Sequence, residues 1–198
     1  MDDDLAKKLY DGVKKAYSAA AEQPAERHPF PVGRAFAESV GYPKDLLDSL
    51  PAQSVEAFAG VSNVSLFAAI PAGSIVLDLG CGAGLDALIA AQRTGPSGKV
   101  VGIDFSTSML RRAEKAAHEK ELAWLDFRES VAESLPLGDK EVDVALVNGI
   151  FNLNPKRDAI FKELFRVVRP GGHVYAAELI LTEPIVSSSP PTEAGWFS

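Results

Sequence analysis

A chain of 198 residues with 46% hydrophobic content has the material for one packed α/β-sized domain rather than a disordered segment. A net charge of −7 with no basic stripe sets it against nucleic acid and anionic membranes, whose phosphates it repels, and favours small-molecule or neutral substrates. One cysteine excludes an intramolecular disulfide, the acidic start Met1-Asp2-Asp3-Asp4 is unlike a secretory leader, and no apolar run reaches bilayer length, so a cytoplasmic enzyme is expected.

Leu5, Leu9, Val13 and Ala16 recur at helical spacing among Lys and Asp, predicting an amphipathic helix over residues 5–21. Pro24, Pro29 and Pro31 end it in an irregular linker. Residues 34–70 read as short helical pieces broken by Gly41, Pro43, Pro51 and Gly60. Residues 1–70 are therefore expected to form a helical cap leading into the core rather than a separate domain, and residues 71–198 to form the ligand-binding domain. After Pro71-Ala72-Gly73 the pattern becomes strand, helix, strand, helix, with strands predicted over 75–79, 99–104, 123–128, 142–148 and 173–181. Helices over 85–93 and 108–120, the latter N-capped by Ser106, connect the first three strands, and a turn through Pro136 and Gly138 follows. Ala159, Ile160, Leu164, Val167 and Val168 give a last helical face, stopped by Pro170-Gly171-Gly172. The expected fold is α/β: a doubly wound, Rossmann-like parallel sheet of about five strands, with its ligand at their carboxyl ends.

The apolar run Ile75-Val76-Leu77-Asp78-Leu79 breaks into Gly80-Cys81-Gly82-Ala83-Gly84, whose glycines allow a tight turn and close backbone approach to a ligand. The third glycine comes one residue earlier than in G-x-G-x-x-G, and Leu85 takes the sixth place, which disfavours a dinucleotide pyrophosphate. Asp78, just before the turn, suits a ligand with a cationic end. Asp104 closes the second strand, where a carboxylate accepts from both ribose hydroxyls or caps the next helix. His28, His118 and His173 are scattered, and with a single cysteine they predict no metal site.

Together these residues resemble the first two motifs of class I S-adenosylmethionine-dependent methyltransferases. The resemblance implies S-adenosylmethionine as cofactor, held by Asp78, Gly80, Cys81, Gly82 and Gly84, then by Asp104, Phe105 and Met109. Ser130-Val131-Ala132-Glu133-Ser134-Leu135-Pro136 lies where the superfamily holds the adenine edge, so Val131, Ala132 and Glu133 join the cofactor set, as does Asn148 after the fourth strand. The common form has Asp at the place of Val131, which leaves the backbone at Ala132 as the surviving contact. Arg169-Pro170-Gly171-Gly172 resembles the turn that precedes the fifth strand.

Finer details resemble the arsenite methyltransferase family: Gly41-Tyr42-Pro43, Leu50-Pro51, Gly60-Val61-Ser62-Asn63, Gly84-Leu85-Asp86 and the run from Asn148 through Asn154-Pro155. In that family a cysteine that binds As(III) follows the Asn of the last motif; here the residue is Gly149. Cys81 alone is a poor trap for a soft ion that favours several thiolates. The implied function is S-adenosylmethionine-dependent methyl transfer to a small-molecule acceptor, with Tyr42, Asn148, Gly149 and Asn152 nearest the acceptor, Asp86 and Glu178 as polar contributors, and no catalytic base assigned. A cofactor-binding module without turnover is the alternative, ahead of arsenite methylation or a nicotinamide-dependent oxidoreductase. The superfamily's C-terminal antiparallel strands are expected to be missing, since Pro184, Pro190 and Pro191 leave the tail poor strand material. A fifth strand left at an edge is expected either to pair in a homodimer or to belong to a truncated form whose full-length version carries the missing strands and the rest of the acceptor site.

Overall fold

The structure is a computed structural model in which residues 3–180 are described. Helix α1 (Asp3–Glu22) is followed by the short helices α2 (Arg34–Ser39), α3 (Lys44–Ser49), α4 (Ala52–Glu56) and α5 (Val64–Phe67). The remaining order is β1 (Ile75–Leu79), α6 (Leu85–Thr94), β2 (Lys99–Asp104), α7 (Thr107–Glu119), β3 (Leu125–Glu129), β4 (Val142–Asn148), α8 (Arg157–Val167) and β5 (Val168–Ala177). The five strands are all parallel in the order β3-β2-β1-β4-β5, the doubly wound arrangement expected from the sequence. The order reverses between β1 and β4, and a crevice opens there above the carboxyl ends.

Alternate side chains of the central strands enter two apolar layers, as burial on both faces requires. Val76, Val100, Val144 and Leu146 pack with α6, α7 and the cap residues Tyr42, Leu47, Val55 and Phe58. Leu77, Leu79, Val101, Ile103, Ala145 and Val147 pack on the other face with Ile160, Leu164 and Val167 of α8. The β3–β4 crossover carries no helix; Leu135 and Leu137 plug the layer instead. Arg166 donates to the carbonyls of Leu137 (2.8 Å) and Leu135 (3.1 Å), while Glu163 accepts from the Leu135 amide at 2.6 Å. That clamp fixes the segment that carries Val131, Ala132 and Glu133 to the site.

Three expectations shift. The fifth strand runs Val168–Ala177 rather than over 173–181, because Arg169-Pro170-Gly171-Gly172 is absorbed as a bulge: Val142 pairs with Val168, and Val144 next pairs with His173. Arg169 bonds Asp143 there, whose other oxygen accepts the Ile75 amide at 2.6 Å. The third strand starts at Leu125 rather than residue 123, because Ala123 and Trp124 belong to the turn that follows Glu121. On α1 the buried face runs through Ala6, Leu9 and Val13 and leaves Leu5 exposed, one residue round from the expected stripe. Ser106 caps α7 as expected, accepting from the Met109 amide at 3.4 Å. The tail from Thr182 lies outside the described residues.

Candidate functional site

The crevice at the switch point is a deep pocket whose floor is the glycine turn. Gly80 has φ +74°, and a Cβ there meets Ile150 Cγ2 at 2.4 Å, so glycine is required for both the turn and the close approach of the β4 loop. Gly80, Cys81, Gly82 and Ala83 line the pocket. Gly84 does not: it is the left-handed N-cap of α6, packed against Ala113 and Phe127, a structural position rather than a wall position.

Two carboxylates stand beside the turn. Asp78 is 2% exposed, its donor is the Ala87 amide, and its Oδ2 is shut from solvent with no partner. Burial, then the charges of Asp86 and Asp104, push its carboxyl well above the usual range. Asp104, at the end of β2, accepts from the Gly82 amide at 2.9 Å and the Ser106 amide at 2.8 Å. Burial raises it to about 6 against the opposing pull of the Ser106, Gly82 and Phe105 amides. Phe105, Met109, Val131, Ala132 and Glu133 continue the wall past the ends of β2 and β3. Cys81 is buried, and burial followed by the charges of Asp104 and Asp78 pushes its thiol up, so it is held protonated.

The predicted acceptor-side residues separate. Asn148 and Gly149 line the pocket, together with Ile150, Leu153 and Asn154. Tyr42 does not reach the wall; it is 2% exposed and its hydroxyl donates to Asp86 Oδ1 at 2.5 Å. Asp86 Oδ2 accepts from Asn148 Nδ2 at 2.8 Å, and Asn148 Oδ1 accepts from the amides of Val61 (2.8 Å) and Ser62 (3.1 Å). This network ties the cap to β4 and α6. Asn152 is also off the wall: its amide, with that of Phe151, donates to Glu178, and its side chain donates to Leu179 O.

Sequence reasoning missed the roof. Tyr10, Val13 and Tyr17 of α1 face the pocket, and their i, i+3, i+7 spacing was the readable signal. Ser18 and Ser106 share a 2.9 Å hydroxyl contact, Ser108 donates to Glu22 at 2.8 Å, and Arg112 donates to Ala21 O, fixing α1 over α7. Tyr10 lies in the field of Glu133 and Asp104, and Tyr17 in that of Asp104 and Glu178, so α1 crosses the pocket from the β3 side to the β5 side. Ala57, Phe58, Ala59 and Gly60 close the rest.

Among the described residues the wall carries Asp78, Asp86, Asp104 and Glu133 and no Lys, Arg or His. An acidic, largely apolar pocket with an orphaned carboxylate oxygen calls for a ligand that brings its own positive charge. The ammonium and sulfonium groups of S-adenosylmethionine meet that demand, and its ribose hydroxyls suit Asp104. No cluster of His, Cys, Asp and Glu fit to hold a metal occurs among the described residues, nor any helix long and apolar enough to cross a membrane.

Comparisons with known proteins agree with the geometry. Residues 70–190 match the family described as methyltransferase domain. An arsenite methyltransferase of Halobacterium salinarum is 36% identical over 147 residues, covering 74% of this chain and 37% of that protein. A demethylmenaquinone methyltransferase of Lactobacillus johnsonii is 34% identical over 131 residues, covering 65% of this chain and 51% of that protein. The crystal structure of an arsenic(III) S-adenosylmethionine methyltransferase from Chlamydomonas reinhardtii superimposes with TM-score 0.56 at 28% identity, over 75% of this chain and 48% of that one. The chain thus spans between about a third and a half of the length of these relatives. The chain belongs to the methyltransferase-domain family, and S-adenosylmethionine is the cofactor that this membership implies.

Proposed function

We propose that the protein transfers a methyl group from S-adenosylmethionine to a small, uncharged or cationic acceptor that enters beside Gly149, Ile150 and Leu153. The observation that carries this reading is the wall itself: among the described residues it has four carboxylates, no basic side chain, and an unpartnered oxygen on buried Asp78. When bound, the cofactor supplies an electrophilic methyl on sulfur. Asp78 takes the ammonium end, Asp104 the ribose, and the Ala132 backbone the base. Burial keeps Tyr17 protonated, as a donor on the acceptor side of the roof, and α1 excludes water. Methyl transfer to a neutral lone pair needs alignment and dryness first, the proton of a thiol or phenol passing to one of the wall carboxylates; among the described residues the wall has no His or Lys. A phosphorylated or carboxylated acceptor is disfavoured by the same field.

Arsenite is the weaker choice of acceptor. The only cysteine is buried and protonated, and Gly149 offers no sulfur. We place the activity in the cytoplasm, where a chain with one free thiol and no disulfide framework is at home. The proposal includes a homodimer through β5, which is the terminal strand among the described residues. Beside it Val174, Phe161 and Phe165 are 44%, 54% and 88% exposed. Light scattering tests it, and a monomer at high micromolar concentration refutes it. The activity is tested by incubation with methyl-labelled S-adenosylmethionine and a panel of neutral thiols, phenols, quinols and arsenite. Label on a neutral acceptor supports the reading; cofactor binding without transfer to any of them favours a binding module.

A further inference from the structure

Asn148 and Gly149, where β4 ends, form a dipeptide whose two members the fold demands for separate reasons. Asn148 is needed as donor and acceptor at once: its Oδ1 accepts the Val61 and Ser62 amides, and its Nδ2 donates to Ser62 O at 2.7 Å and to Asp86 Oδ2 at 2.8 Å. Gly149 has φ +81°, and a Cβ there meets Val61 Cγ1 at 3.0 Å, so only glycine fits. The pairing is chemically labile. An asparagine followed by glycine is the sequence in which the next backbone nitrogen most easily attacks the side-chain carbonyl, because no Cβ shields that nitrogen. Asn63, Asn152 and Asn154 are followed by Val, Leu and Pro, which hinder the attack or, for Pro, remove the amide proton it needs.

The closed structure holds this reaction off. Asn148 pairs with Ala177 of β5, and the Gly149 amide donates to Ala177 O at 2.9 Å. In a strand the side chain stands off the sheet while the amide lies in its plane, so the attacking nitrogen points at β5 and the target carbon at the cap. Bringing them together breaks the side-chain bonds of Asn148 and the end of the β4–β5 pairing. Asp86, Asn148 and Gly149 all line the pocket, so the opening that frees the amide also dismantles the ligand site.

We infer that Asn148-Gly149 is a deamidation site that reacts when the network between cap and β4 opens, and that a ligand in the pocket shields it. In the opened state hydroxide takes the Gly149 amide proton and the nitrogen bonds to Asn148 Cγ. The Cγ–Nδ2 bond then breaks, ammonia leaves with a proton from water, and water opens the cyclic imide to Asp or isoAsp. The product cannot restore the lock. A carboxylate at 148 still accepts from the Val61 and Ser62 amides, but its second oxygen meets Asp86 Oδ2 and Ser62 O, acceptor against acceptor. IsoAsp also adds a main-chain carbon at the end of β4. The site is a one-way switch that retires ligand-free protein. The shielding rests on the cofactor reading above; the reactive dipeptide does not.

The test holds the whole chain, wild type and Gly60→Ala, in mildly alkaline buffer, alone and with S-adenosylhomocysteine, beside a wild-type sample in urea. Peptide mass mapping follows the change of amide to acid at each asparagine, and thermal melting checks that both chains are folded. Conversion is expected at Asn148 ahead of the other asparagines, fastest in urea and slower in the folded wild type. The Cβ of Gly60→Ala presses on Asn148 Nδ2 at 2.5 Å and leaves the dipeptide itself unchanged, so conversion there is expected to rise roughly tenfold, the scale of one lost hydrogen bond on the open population. Ligand is expected to slow conversion in both folded chains by the factor 1 + [L]/Kd, about a hundredfold at a hundred times Kd. Asn148→Asp is expected to bind S-adenosylhomocysteine at least tenfold more weakly than wild type. Asn148 intact in folded Gly60→Ala after the urea sample has converted, or intact in urea itself, overturns the site. Conversion undiminished by a ligand that calorimetry shows to be bound overturns the shielding. Absence of binding overturns the cofactor reading and the shielding with it, while conversion in the ligand-free samples still decides the site.

Discussion

Replacing Asn148 by Ala separates the structural role that the geometry gives this residue from a role in touching the acceptor. The side chain accepts from the amides of Val61 and Ser62 and donates to Ser62 O at 2.7 Å and to Asp86 Oδ2 at 2.8 Å. Truncation leaves two amides of the cap loop and one oxygen of a buried carboxylate short of partners. At roughly 0.5–1.5 kcal/mol for each neutral bond and somewhat more for the carboxylate, discounted because the loop is only partly buried, the loss is about 2–4 kcal/mol. For a chain of 198 residues, at about 2–4 °C per kcal/mol, that lowers Tm by roughly 5–15 °C. The adjoining residues Ala57, Phe58, Ala59 and Gly60 line the pocket, so S-adenosylhomocysteine affinity is expected to fall as well. Gly60→Ala is expected to act in the same direction, because its Cβ meets Asn148 Nδ2 at 2.5 Å. Circular dichroism melts with and without S-adenosylhomocysteine provide the assay. An Asn148→Ala protein that melts within about 1 °C of wild type and binds the ligand equally well refutes the network as a support of the cap.

Asp104→Ala is expected to weaken S-adenosylhomocysteine by tenfold or more, the scale of about 1.5–3 kcal/mol for hydrogen bonds to a charged acceptor; calorimetry on a folded variant with unchanged affinity removes Asp104 from the ribose station. Asp104 titrates near 6 in the free protein and hydrogen bonds from ribose favour its ionised form. Affinity is therefore expected to be full above that pH and to decline as pH falls through it, with proton release on binding near pH 6 in paired buffers; an affinity flat from pH 7 to pH 5 contradicts the assignment. The same group acts on stability with the opposite sense: its raised value penalises the ionised folded form, so ligand-free stability declines as pH rises from the ordinary carboxylate range through about 6. Cys81 is buried and held protonated, so native protein is expected to resist iodoacetamide at pH 8 and Cys81→Ser to bind S-adenosylhomocysteine as wild type does; rapid alkylation, or loss of binding, makes the thiol a working group.

The sheet was legible because its strands are short apolar runs bounded by Gly, Pro and Asp, and because the glycine turn and Asp104 mark the ends of β1 and β2. The fifth strand shifted because Pro170 and Gly171 read locally as a stop, whereas pairing with β4 and the Arg169–Asp143 contact carry the chain through them as a bulge. Local signals cannot see such tertiary compensation. Periodicity found α1 but missed Tyr10 and Tyr17, since it says which face is apolar and not what that face covers. Tyr42 illustrates the reverse: a polar residue near a motif invites a substrate role, yet its hydroxyl is spent on Asp86 in the interior. Glu178 likewise caps the amides of Phe151 and Asn152, shaping the β4 loop from behind.

The central claim is that this pocket holds S-adenosylmethionine in one orientation. The crystal structure of the chain bound to S-adenosylhomocysteine tests it most directly. The account predicts the ribose hydroxyls on Asp104, the amino group at the free oxygen of Asp78 and the base beside Ala132 and Glu133 under Tyr10. A ligand bound elsewhere, or reversed with its base at Asp78, contradicts it.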